Sequence, residues 1–186
     1  MAVTQLDPKS ALIVIDLQKG LMGFPVVHPI TEVIARTRRL LDAFRAAGHT
    51  VVLVNCDAIA PGRTEAQRPD FSRFPEGWTD LIADLDVQPD DIQVTKKSWG
   101  AFATTGLEQT LRARGVTQVV VTGVATGSGV EATARQAYEA GFNVTLAVDA
   151  MTDTRAEAHD YSLAKVFPRL GESGTADEII ALLPGL

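Results

Sequence analysis

Cysteine is almost absent from this sequence. A single residue in 186, Cys56, leaves no intrachain disulfide and no cysteine-based zinc motif. Histidine is also scarce. His28, His49 and His159 share no ligand spacing, so each reads as a surface or capping residue, and no metal or other cofactor is expected. Basic charge is in deficit, with 17 Lys and Arg against 23 Asp and Glu and a net charge of −6. A nucleic-acid surface needs a basic face. The densest basic run, residues 36–39, falls on a helical pattern and reads as a solvated face. No apolar run is long enough to span a bilayer. Residues 1–9 lack the basic start and apolar stretch of a signal peptide. Neither a nucleic-acid nor a membrane partner is expected, and a cytoplasmic location follows by default.

What is present is an ordinary globular composition, 46% hydrophobic and 22% charged, in a chain long enough for one domain over residues 1–186. Four apolar, β-branched runs predict buried strands at 12–15, 51–54, 119–122 and 144–148, with a weaker fifth at 91–95. Their nearly continuous apolar character suits a parallel sheet covered on both faces. Helical patterns alternate with them. One covers 31–47, repeating Val33, Ile34, Leu40, Leu41 and Phe44 before Gly48, and another covers 129–140 before Gly141. Thr105 with Glu108, Thr154 with Glu157 and Thr175 with Glu178 each predict a capping box. This alternation predicts an α/β fold with an open, mainly parallel, doubly wound sheet. Residues 57–78, rich in Pro and Gly, break the pattern and read as an excursion of the kind that forms lids or pocket walls.

In open α/β sheets, ligands bind at the carboxyl ends of strands. Four polar features fall there: Asp16, Lys96, the glycine-rich turn 123–129, and Asp149. A carboxylate at the mouth of a buried strand is partly desolvated, which suits a general acid or base, or else it merely caps a turn. Lys96 and Lys97 end a strand pattern, and one of them is placed to pair with such a carboxylate or simply to face solvent. Trp99 and Phe102 follow, either as core or as pocket wall. Gly127-Ser128-Gly129-Val130-Glu131-Ala132 matches a dinucleotide fingerprint, but the strand ends near Gly123, too early for its first glycine. What remains is a helix start with amides at Ser128 and Gly129 suited to a developing oxyanion, or a turn that only lets strand and helix pack. Thr126 and Val130 spoil the nucleophile-elbow pattern around Ser128.

Four motifs occur in order: Ala-Leu-Ile-Val-Ile-Asp-Leu-Gln at 11–18, Thr-Lys-Lys-Ser-Trp-Gly-Ala-Phe at 95–102, Val-Thr-Gly-Val-Ala-Thr-Gly-Ser-Gly-Val-Glu-Ala-Thr-Ala-Arg at 121–135, and Val-Asp-Ala-Met-Thr-Asp at 148–153. Together they resemble the isochorismatase-like, or cysteine hydrolase, superfamily over nearly the whole chain. The resemblance implies a three-layer α/β/α sandwich, assembly as a homodimer or larger homo-oligomer, and a cis peptide mapping to Val124–Ala125. It also implies an Asp–Lys–Cys constellation. By motif position the Asp is Asp16 and the Lys is Lys96, but the cysteine position holds Gly129. Cys56 lies off the motif, so little sensitivity to thiol reagents is expected. The metal site of nicotinamidases has no counterpart, because no His occurs between Asp57 and Pro75. True isochorismatases do without the thiol, but carry a His where Gly127 stands, so isochorismate is not assigned as substrate.

Two functional readings follow. In the first, the chain is a hydrolase of a small-molecule substrate without a covalent cysteine intermediate. Asp16 and Lys96 carry acid–base chemistry at the vacated Gly129 position, and Trp99, Phe102, Ala125, Thr126 and Ser128 bind substrate. In the second, it is a catalytically inactive relative that serves as a small-molecule-binding or regulatory module.

Overall fold

The computed structural model describes residues 3–184. Six strands build one sheet: β1 (Ser10–Ile15), β2 (Thr50–Cys56), β3 (Ile92–Lys96), β4 (Gln118–Val124), β5 (Asn143–Thr152) and β6 (Glu172–Gly174). Their order is β3-β2-β1-β4-β5-β6, and every strand pair among the described residues is parallel. The five runs read as strands are β1 to β5. The sixth is three residues long and includes Gly174, which is too short for any periodic pattern to mark.

The apolar continuity of β1 has a direct structural cause. Ala11, Ile13 and Ile15 enter the core on one face, while Leu12 and Val14 enter the core on the other. Successive side chains of a strand point to opposite faces, so a strand covered on both sides must be apolar at every position. Each such Leu or Ile contributes about 1.5–3 kcal/mol on burial. Helices α1 (Ile30–Ala46) and α5 (Ala176–Ile180) close the Leu12 face through Leu40, Leu41, Phe44, Ala176 and Ile179. Helices α2 (Leu107–Ala113) and α3 (Glu131–Glu139) close the Ile13 face through Leu107, Leu111, Ala134 and Ala137. This is the three-layer arrangement expected. α4 (Ala156–Tyr161) packs against the turn that precedes α3. No helix among the described residues is long and apolar enough to cross a membrane.

Of the three predicted capping boxes, only Thr175–Glu178 forms, with both reciprocal bonds present. At α2 the N-cap is Gly106 in a left-handed conformation. Thr105 lies one residue too early, with its hydroxyl donating to the Ala101 carbonyl. At α4 the N-cap is Arg155, and the carboxylate of Asp153, not Thr154, accepts its N–H at 3.1 Å. The helix predicted from residue 129 begins earlier, because residues Thr126–Val130 form a wider π-helical turn that runs straight into α3.

Candidate active site

The strand order reverses direction between β1 and β4, and the chain leaves those two strands toward opposite faces. A crevice therefore opens at their carboxyl ends. Gly123 lets β4 close on β1 there: a β-carbon at this position would run into the Ile15 backbone. The next peptide, Val124–Ala125, is cis.

Asp16 is the first residue beyond β1. Its backbone is held in the left-handed region, at φ 53°, with its N–H on the Val54 carbonyl and its own carbonyl accepting from Gln18. Asp tolerates this conformation better than most side chains. The turn aims the carboxylate across the crevice. Lys96, the last residue of β3, reaches back over β2, and its Nζ stands 2.8 Å from Asp16 Oδ2. Both groups are buried, and Lys96 also donates to the Ser98 carbonyl at 3.2 Å. Asp16 Oδ1 is buried and has no hydrogen-bond partner. Burial pushes the Asp16 pKa up to about 6, and the Lys96 ammonium beside it limits the rise.

Asp16 and Lys96 form the floor of a cavity of about 330 Å³, together with Cys56, Ser98, Val124, Ala125, Ser128 and Gly129. A β-carbon on Gly129 would stand 3.2 Å from Asp16 Oδ2 and 3.0 Å from Ile15 Cγ2. Residue 129 therefore faces the Asp16–Lys96 ion pair directly. The backbone of Gly129 is not in the positive-φ region, so its conformation does not demand glycine.

Of the predicted binding residues, Trp99, Ala125 and Ser128 line the cavity. Phe102 does not. Its ring turns inward against Phe142 at 5.8 Å and packs on the core. Thr126 is fully buried, and its hydroxyl is engaged by His159 Nδ1 at 2.9 Å. The Ser128 N–H already donates to the Ala125 carbonyl, which removes it as a free oxyanion donor. Asp149 is also away from the cavity. β5 continues past it to Thr152, and its carboxylate binds the Ala176 N–H and Arg36.

Three features go beyond the sequence reading. Cys56 lies off the motif, but the β2–β3 register sets it opposite Lys96 and into the cavity wall. An adduct on Cys56 would occupy the cavity, so thiol reagents matter here only as far as this buried thiol reacts. Burial pushes this thiol's pKa up, so it is a poor nucleophile. The second feature is a brace behind the turn. Asp153 Oδ2 accepts the Gly127 N–H at 2.8 Å, and the His159–Thr126 bond lies beside it, with the His28 ring 4.6 Å from that of His159. The third is an aromatic wall of Phe71, Phe74 and Trp78 supplied by the 57–78 excursion, together with Phe24. The first two have no local sequence signal, because each depends on segments that meet only in the fold; the third is the pocket wall that the Pro- and Gly-rich run 57–78 suggested, with its aromatic residues now identified.

Residues 10–178 match the isochorismatase domain family. The isochorismatase family protein YecD of Escherichia coli O157:H7 is 38% identical over 186 residues, covering 96% of this chain and 99% of the relative. A ureidoacrylate amidohydrolase of Stutzerimonas stutzeri is 34% identical over 170 residues, covering 75% of this chain and 68% of the relative. The structure of an isochorismatase family protein from Burkholderia thailandensis superimposes with a TM-score of 0.92 at 37% identity, covering 99% of this chain and 100% of that one. The order of the six strands, the crevice at their switch point and these similarities agree: the chain belongs to the isochorismatase family of hydrolases.

Proposed function

We propose that this chain hydrolyses a small organic substrate by acid–base chemistry at Asp16 and Lys96, without a covalent cysteine intermediate. The observation that carries this reading is the state of Asp16. It is a buried carboxylate at the floor of a cavity, with Oδ2 held by Lys96 and turned toward position 129 and Oδ1 enclosed without a partner. A desolvated group with a pKa of about 6 is mostly ionised at neutral pH and poised to take a proton. In the proposed step, the Asp16 carboxylate accepts a proton from water as the water oxygen bonds to the electrophilic carbon. The Gly129 N–H faces the oxygen that gains charge. Asp16 then returns the proton to the leaving group as its bond to that carbon breaks. Lys96 fixes the carboxylate and keeps it ionised. The ureidoacrylate amidohydrolase relative makes amides and carbamates the first compounds to test, followed by enol ethers.

Gly129 favours a second reading. No nucleophile stands at the position facing Asp16, so the cavity also suits a binding or regulatory module. Turnover across the panel, measured for the native chain and for Asp16→Asn, separates the two. Hydrolysis that disappears in the variant is expected. Saturable binding with no turnover of any member would support the module instead.

A further inference from the structure

Aromatic residues are scarce in this chain, with seven Phe, two Trp and two Tyr. Three of those phenylalanines and both tryptophans stand around this one cavity: Phe24, Phe71, Phe74, Trp78 and Trp99. Phe74 and Trp78 are stacked at 4.2 Å with 17° between their planes, and Phe71 meets them edge-on at 5.3 and 5.5 Å. Phe24 and Trp99 are left 50% and 63% exposed at the mouth, a cost that packing alone does not require.

This wall is held in place. The Trp78 indole lies flat on Gly20, where any β-carbon would collide with the ring. Gly20 N–H donates to the Trp78 carbonyl at 2.9 Å, Lys19 N–H to Asp80 at 2.8 Å, and Ile82 N–H to Leu17 at 3.1 Å. The excursion is thus pinned to the segment that follows Asp16, and the aromatic surface exists before any ligand arrives.

The floor is electrically balanced, because Asp16 and Lys96 neutralise each other and Lys96 spends N–H groups on Asp16 and Ser98. An anionic ligand would meet the Asp16 carboxylate beside an ammonium that is already paired. A cationic ligand would compete with Lys96 for Asp16. Asp16 Oδ1 is enclosed without a partner, so the carboxylate as a whole keeps acceptor capacity that an ammonium alone does not fill.

Resting on the reading of this cavity as the substrate site, we infer that its ligand is uncharged. Its body is flat and apolar, of the size of one aromatic ring, and stacks on the Phe71–Phe74–Trp78 wall. Its polar head donates a hydrogen bond to the Asp16 carboxylate.

The test is a binding titration at pH 7.5 by protein-observed NMR, followed by intrinsic tryptophan fluorescence. The probes are benzamide and benzyl alcohol against benzoate, benzylammonium and acetamide. Benzamide or benzyl alcohol is expected to saturate at millimolar concentration, with each of the other three weaker by about tenfold or more. Phe74→Leu, which keeps a side chain of similar bulk, is expected to weaken the aromatic probes while leaving acetamide unchanged. Failure of both neutral aromatic probes to saturate by about 20 mM would overturn the inference. So would benzoate or benzylammonium binding as tightly as benzamide, or acetamide matching it. Binding as expected with no hydrolysis of any amide, carbamate or enol ether would contradict the proposed reaction and leave this inference standing. Turnover of a charged or purely aliphatic substrate alone would do the reverse.

Discussion

Two aspartates follow apolar strand runs in this sheet, and they end in opposite conditions. Asp149 has both carboxylate oxygens engaged: Oδ1 accepts the Ala176 N–H at 2.7 Å, and Oδ2 lies 3.4 Å from Arg36 Nε. It ties α1 and α5 to β5. Asp16 has one oxygen on Lys96 and one on nothing, and it faces a cavity. Asp149 sits where two helices close over the sheet, whereas Asp16 sits where the strand order reverses and the crevice stays open. A buried polar atom without a partner is rare and costly. A saturated carboxylate holds a fold together, while a dry one with spare acceptor capacity is available to a ligand.

The sharpest way to break this comparison is to remove each charge in turn. Asp16→Asn is expected to lower kcat/KM by about a hundredfold or more on any substrate the native chain turns over. Asp149→Asn is expected to leave activity within about twofold and to cost about 1 kcal/mol of stability. Turnover and thermal melts on the same two variants check both. Equal losses of activity would mean that both aspartates act through the fold.

The pH dependence sharpens it further. If Asp16 acts as a base, kcat/KM should rise through pH about 6 and level off above it. A fall through the same pH would assign it as the acid. Stability runs the other way for this group. Its pKa is raised from 3.8 to about 6 on folding, so its contribution is full below pH 3.8 and is lost as pH rises through 6. Lys96→Met removes the ammonium that limits the rise, so the break should move upward.

Much of this was legible in the sequence. The run ending at Asp16 announced a buried parallel strand because every position of β1 is covered. Lys96 stood at the end of the next-but-one strand, and the turn after β4 carried the family motif. The structure brings these three together. What could not be read depended on register and distance. Cys56 reaches the cavity only because it pairs with Lys96 across β2 and β3. Phe102 points into the core and not into the cavity, because its backbone N–H is fixed by Gln136 on α3. Thr105 and Thr154 had the right spacing for capping boxes, but Gly106 and Asp153 supplied those ends.

Behind the cavity, Asp153→Ala would release the Gly127 and Arg155 N–H groups. It is expected to cost about 2 kcal/mol and to lower activity by about tenfold through the displaced turn. Chemical denaturation alongside turnover checks this, and an unchanged kcat would show that the turn holds without the brace. Gly129→Cys is expected to cost only about 1 kcal/mol of stability, because Ile15 Cγ2 at 3.0 Å must give slightly. The new thiol, at a helix start beside Lys96, should alkylate faster than Cys56, whose pKa burial pushes up. Mass-spectrometric labelling rates compare the two thiols in one sample.

The most direct measurement is the titration of the Asp16 side-chain carboxyl by carbon-13 NMR, which needs no substrate. A midpoint near pH 6 is expected for a carboxylate kept dry, held by Lys96 and left with one free oxygen. A midpoint in the ordinary range, near 3.9, would mean that water reaches Asp16 freely, and would contradict its role as the acid–base group of this site.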